Sequence, residues 1–159
     1  MIFKYFQGTV PVPNELDDQD QSLLLSASVT HTNITKSLDL CHFREAITQA
    51  MTLAGDTNRY IDFQSPWKTA KEDSNKCATT LWVALNMIST LKTLLAPFLP
   101  FSSAKLHDML GISGTLDDYG WNIQEPIPGT KLGDLEPLFL KLDDSIVEEE
   151  TMRLKSQSS

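Results

Sequence analysis

Trp67 stands directly after Pro66, and Lys68 and Lys71 follow it within one helical turn. An indole flanked by two ammonium groups suits a nucleic-acid base, which stacks on the ring while its phosphate is neutralised. Pro66 disfavours helical geometry at Ser65 and ends the helix before it, which leaves Trp67 at the apex of a stiff connection. Lys68 and Lys71, three residues apart, share one side of a helix. Asn58 and Arg59 lie about two helical turns before Trp67 and carry groups that read base edges and phosphates. Each residue also has a plainer reading. Trp67 would be a core anchor beneath the connection, since Trp is mostly buried. Arg59 would pair internally, for instance with Asp62 at i+3.

No other constellation carries chemistry. Phosphate-binding glycine loops and a Gly-x-Ser-x-Gly elbow are absent. His31, His42 and His107 lack the i, i+4 spacing of a metal pair. His42 adjoins Cys41, but neighbours on a helix point about 100° apart and make no nucleophile–base pair. Glu148, Glu149 and Glu150 read as a solvated helix start. Catalytic residues and metal ligands are therefore expected to be absent. Cys41 and Cys77 are far apart, outside any Cys-x-x-Cys pair, and are expected to be reduced, buried and structural.

The 159 residues fit one domain with a sizeable core. A net charge of −8 argues against a general nucleic-acid binder, but the charge is unevenly placed. Nine of the 21 acids cluster near the two ends. Between Lys36 and Lys105 there are eight Lys/Arg against six Asp/Glu, a mildly positive middle. That pattern suits a protein reading a few bases rather than gripping a long phosphate track. The longest apolar run, near Leu94 to Phe101, contains Pro97 and Pro100 and falls short of the roughly 20 residues of a membrane span. The first residues lack the pattern of a signal peptide. No membrane partner and a cytoplasmic location are expected.

The elements that must position Trp67 are helices. Ile2, Phe3, Tyr5 and Phe6 read as the last turns of a helix whose earlier part is missing, ended by Gly8. Asp17 or Asp18 would cap a helix running to about Leu38, with Leu23, Leu24, Ala27, Ile34 and Leu38 inward. Ser37 or Asp39 would cap the next, over 40–64, with an apolar stripe of Phe43, Ile47, Ala50, Ala54 and Ile61. Its Gly55 would mark a close helix–helix contact. A helix over 75–96, with Cys77, Leu81, Leu85, Ile88, Leu91 and Leu95 in one stripe, is widened by Trp82 and Leu94 and reads as buried on more than one side. Pro97 and Pro100 break it, and Ser102 or Ser103 would cap a helix over 103–110 ended by Gly111. Residues 1–111 thus form an all-α bundle of about five helices. Residues 112–159 form a loop-rich tail of the same domain, anchored by Trp121, Ile123, Ile127, Leu132, Leu138, Phe139 and Leu142. The tail closes on a short helix over 146–154 capped by Ser145, with Glu148 at the capping-box position and a frayed end over 156–159.

The segment Asn58-Arg59-Tyr60-Ile61-Asp62 with Pro66-Trp67-x-x-Ala70-Lys71 resembles the anticodon-binding domain of the methionyl-tRNA synthetase family. Phe43-Arg44-Glu45-Ala46-Ile47 is similar to that family's aromatic-x-x-Ala-Ile helix. Pro97-Phe98-Leu99-Pro100-Phe101-Ser102 is similar to its Pro-Phe-Leu-Pro-x-Ser break. Trp121, Gly129-Thr130-Lys131-Leu132 and Pro137-Leu138-Phe139 are similar to its closing tail. The resemblance covers about residues 1–155.

The resemblance implies a helical domain of a class I aminoacyl-tRNA synthetase that recognises the CAU anticodon of methionine tRNA. It implies that Trp67 stacks on the first anticodon base, in a candidate RNA-binding set of Trp67, Pro66, Lys68, Lys71, Asn58 and Arg59. The family's own anticodon-reading Asn and Arg lie on the helix before residue 1, so Asn58 and Arg59 are not those residues. The family's ATP-binding motifs and zinc-knuckle cysteines are absent from the chain, so it is expected to need no cofactor and to have no catalysis of its own. Its parent is expected to be a ligase using ATP and Mg to form methionyl-tRNA, with the catalytic domain as a partner within the same protein. Two alternatives remain: a helical protein-interaction module with Trp67 as a hot spot, or the anticodon domain of a related synthetase for valine, leucine, isoleucine or cysteine.

Overall fold

The computed structural model describes residues 1–139 and 143–157. In chain order the helices are α1 (Ile2–Tyr5), α2 (Asp18–Asp39), α3 (Phe43–Gln64), α4 (Pro66–Glu72), α5 (Ser74–Leu95), α6 (Pro100–Met109), α7 (Leu116–Tyr119) and α8 (Asp144–Gln157). Among the described residues there is no β-strand, only an isolated antiparallel bridge between Thr9 and Lys131. The all-α fold is as expected. Two short helices, α4 and α7, add to the anticipated five and the terminal one. No described helix is long and apolar enough to cross a membrane.

α5 is the axis of the bundle and packs against α2, α3, α4 and α6. Cys77, Val83 and Leu94 are fully enclosed, and Trp82 is buried beside them. Some of its interior polar residues satisfy themselves on the helix: Thr80 donates to the Lys76 carbonyl and Thr90 to that of Asn86, each at 2.9 Å. Burial extends around most of the helix, as its wide apolar face predicts. Cys77 is buried as expected, whereas Cys41 is exposed in the short α2–α3 connection at φ +58°.

The start of α2 follows the sequence closely. Asp17 accepts from the amides of Gln19 and Asp20 at 2.9 Å, and Asp20 returns a bond from the Asp17 amide at 3.0 Å. α3 departs from expectation. It begins at Phe43 after His42, with no side-chain cap from Ser37 or Asp39. Its buried face is Ala46, Ala50, Leu53, Thr57, Tyr60 and Gln64, so Phe43 and Ile47 point outward. Leu53 and Tyr60 are the large side chains that this helix turns inward. Small residues let it approach α2 closely, and Tyr60 donates to the buried Asp20 carboxylate at 2.5 Å. A Cβ added at Gly55 would meet only the Arg59 guanidinium at 3.9 Å, so that glycine marks no helix crossing.

Pro100 starts α6 rather than breaking the chain: at the first helical position its missing N–H removes nothing. Ser102 and Ser103 therefore lie inside the helix and do not cap it. α8 starts at Asp144, where the Asp143 carboxylate accepts from the Ser145 amide at 3.0 Å, so Ser145 is not the cap. The expected roles of Leu142, the Glu148 side chain and Ser158–Ser159 lie outside the described residues.

Backbone bonds stitch the start of the chain to its tail. Val10 donates to Thr130, Gly129 to Val10 and Leu132 to Gly8, each at 2.8 Å, and Gly133 donates to Met109 at 3.0 Å. At Gly111 and Gly133 a Cβ would collide with the carbonyl oxygens of Lys131 and Asp108, so this seam requires glycine at both. Of the expected anchors, Leu132 is buried, and Trp121 packs on the core with its Nε1 donating to the Thr35 hydroxyl at 2.7 Å. Ile127 and Phe139 are instead exposed.

Candidate nucleic-acid interface

The connection that carries Trp67 is an elbow between two helices. α3 ends at Gln64, Ser65 takes a left-handed conformation at φ +45°, and Pro66 is the first residue of α4. Trp67 therefore stands on the first turn of a short helix, not at a loop apex as the sequence suggested. The reason is the dual character of proline, which ends one helix and fits the first position of the next. Ser65 holds the bend itself: its hydroxyl donates to the Asp62 carbonyl at 2.8 Å and its carbonyl accepts from the Lys68 amide at 2.8 Å.

Two further contacts fix the elbow. Pro66 is fully buried, and its carbonyl accepts from the Cys77 thiol on α5 at 3.5 Å. Burial pushes that thiol's pKa up, so it stays a protonated donor. Gln64 is buried and its amide Nε2 reaches the Asp17 carboxylate at 3.4 Å. The backbone amide of Asp20, aided by Gln64, holds the Asp17 carboxyl below the usual carboxylate range.

The three tryptophans sort by their indole N–H groups. Trp82 donates to the Pro126 carbonyl at 3.3 Å and Trp121 to Thr35. Trp67 is 47% exposed, and among the described residues its N–H has no partner. Trp67 lines an apolar cavity of about 330 Å³ together with Phe3, Ile61, Leu81, Leu106 and Leu135. Lys68 and Lys71 are exposed on α4, and among the described residues neither forms an ion pair. A half-open indole with two unpaired ammonium groups on one short helix is what the structure brings together.

Asn58 and Arg59 are placed differently. Both are exposed on α3. Arg59 pairs with Asp56, not Asp62, and lines the cleft between α2 and α3 with Asp18, Ser22 and Phe63. Ile61, which lines the Trp67 cavity, is two residues on and points to the other flank of α3. Asn58 is adjacent to that flank and forms no side-chain hydrogen bond among the described residues. No local pattern marks Gln64 as part of the elbow: its partner lies 47 residues away. The described residues hold no group of three or more metal-ligating side chains.

Residues 10–159 match a family described as the anticodon binding domain of methionyl tRNA ligase. A methionine–tRNA ligase of Roseiflexus castenholzii is 38% identical over 94% of this chain, which covers 30% of that protein. One from Dehalococcoides mccartyi is 47% identical over 75% of the chain, covering 22% of its own length. The free-state methionyl-tRNA synthetase structure from Mycobacterium tuberculosis superposes with a TM-score of 0.82 at 27% identity, covering 90% of this chain and 30% of that one. The chain thus spans less than a third of the relatives it matches.

Proposed function

The chain belongs to the anticodon-binding domain family of methionyl-tRNA ligase, and from that premise we propose that it reads the CAU anticodon of methionine tRNA, with Trp67 stacking on the first anticodon base. The half-exposed Trp67 indole, whose N–H has no internal partner, carries this reading. A ring kept only for the core would be enclosed and bonded, as Trp82 is. Lys68 and Lys71 neutralise the adjoining phosphates without reading sequence. Pro66 sets the ring's direction, and Asn58 faces the RNA from the neighbouring flank of α3. Arg59, paired with Asp56, reaches RNA only at the rim of the α2–α3 cleft.

The protein of which this domain forms part attaches methionine to its tRNA in the cytoplasm, using ATP and Mg in a catalytic domain. That activity rests on the family and not on any residue described above. The direct test is a fluorescence titration of the chain with a hairpin bearing CAU and with the same hairpin changed at its first anticodon base. Tighter binding and stronger tryptophan quenching with CAU, both lost in Trp67→Ala, are expected. Equal binding of the two hairpins by the chain, or discrimination that survives Trp67→Ala, would overturn the reading.

A further inference from the structure

We propose that Gln64 is a positioning residue for Trp67, acting through Asp17; this rests on the anticodon reading above and adds the element that aims its ring. Gln64 is the last residue of α3, three before Trp67, and only 4% exposed. Its Nε2 donates to the Asp17 carboxylate, the N-cap of α2. Its Oε1 is buried and has no hydrogen-bond partner.

An orphaned buried acceptor costs stability. A methionine of similar volume would remove both that cost and the Asp17 bond, two effects of similar size, so net stability gives little reason for a glutamine here. The amide's one made bond ties the end of α3 to the start of α2. From there the chain has only Ser65 and the buried Pro66 before Trp67, whose own ring is half open and has no hydrogen bond. The direction of the indole is thus inherited from the elbow. The Cys77 thiol on the Pro66 carbonyl pins the elbow from α5, and Gln64 pins it from α2.

The test uses the full chain carrying Gln64→Met, with Asp17→Asn as a second variant that keeps a capping oxygen for α2. Trp67 is read as the most acrylamide-quenchable emission, since Trp82 is buried, Trp121 is partly buried, and both are bonded. In Gln64→Met the melting temperature is expected to hold or rise, while the quenchable component depolarises faster. The affinity ratio between the CAU hairpin and the hairpin changed at its first base is expected to fall about fivefold, the scale of one ordinary hydrogen bond. Asp17→Asn is expected to loosen the same component. Unchanged depolarisation in both variants would overturn the proposal, as would a lower melting temperature with ring motion and affinity ratio intact, the mark of a purely structural glutamine. If the unsubstituted chain fails to discriminate the hairpins, the anticodon reading falls, and depolarisation measured without RNA still decides the role of Gln64.

Discussion

At the scale of single residues, charge and ring contribute separately to RNA binding. Lys68→Ala or Lys71→Ala should weaken binding of both hairpins alike and flatten the slope of log affinity against log salt by about 0.7 per lysine. Trp67→Ala should instead abolish discrimination. Because its ring is half exposed, the loss of stability should stay near 1–3 kcal/mol in a urea melt, with the fold retained. Ser65 offers a stricter check on the elbow. At φ +45° a β-branched side chain is strained, so Ser65→Val should cost about 1–2 kcal/mol, with Ser65→Gly close to neutral. Reading these residues from sequence had uneven success. Pro66, Trp67, Lys68 and Lys71 are contiguous, so their grouping is visible in the chain. Gln64 is a polar residue whose meaning depends on a partner in another helix, and no local pattern points to it. Arg59 had two acids within helical reach, and spacing alone does not choose between Asp56 and Asp62.

At the scale of elements, the cap of α2 was legible, whereas the caps expected for α3, α6 and α8 were not. Asp17 announces the start of α2 because its side chain must satisfy free amides at a helix end. The inward side of α3 is only partly legible because its buried face mixes Leu53 and Tyr60 with alanine, threonine and glutamine, while the apolar Phe43 and Ile47 remain outside. α4 was hidden because Pro66 both ends one helix and starts another. The packing of α5 on α6 holds a polar feature that composition conceals. Lys92 is enclosed, donating to Gln124 and lying 3.4 Å from His107 Nδ1, and among the described residues no carboxylate bonds to it. Burial lowers its pKa to about 8, and burial and then Lys92 lower that of His107. A base whose folded pKa is depressed destabilises the fold while the unfolded chain holds the extra proton. Stability should therefore rise as pH increases from about 8 toward the ordinary value of 10.5. Lys92→Met should remove that rise relative to the unsubstituted chain and raise the melting temperature at pH 7. Chemical melts of both proteins between pH 7 and 10 would show it. His107 acts in the same sense at lower pH, with stability falling as the solution is acidified below 6.5.

At the scale of the whole molecule, the seam joins Gly8–Val10 to Gly129–Gly133, and Gly133 joins it to the end of α6. Gly133→Ala would drive a methyl into the Asp108 carbonyl. It should cost more than about 2 kcal/mol and speed amide hydrogen exchange at Val10, Gly129 and Leu132, with the amides of α5 less affected. The seam also sets an order of events. The contacts among α2, α3 and α5 are comparatively local and can nucleate early, whereas closing residue 10 on residue 130 spans about three-quarters of the chain. During synthesis the first residues must wait for a partner made more than a hundred residues later, so the bundle condenses before its ends are joined. Substitutions at the seam should accordingly leave the refolding rate almost unchanged and appear in the unfolding rate, making this junction the latch on the domain's kinetic lifetime.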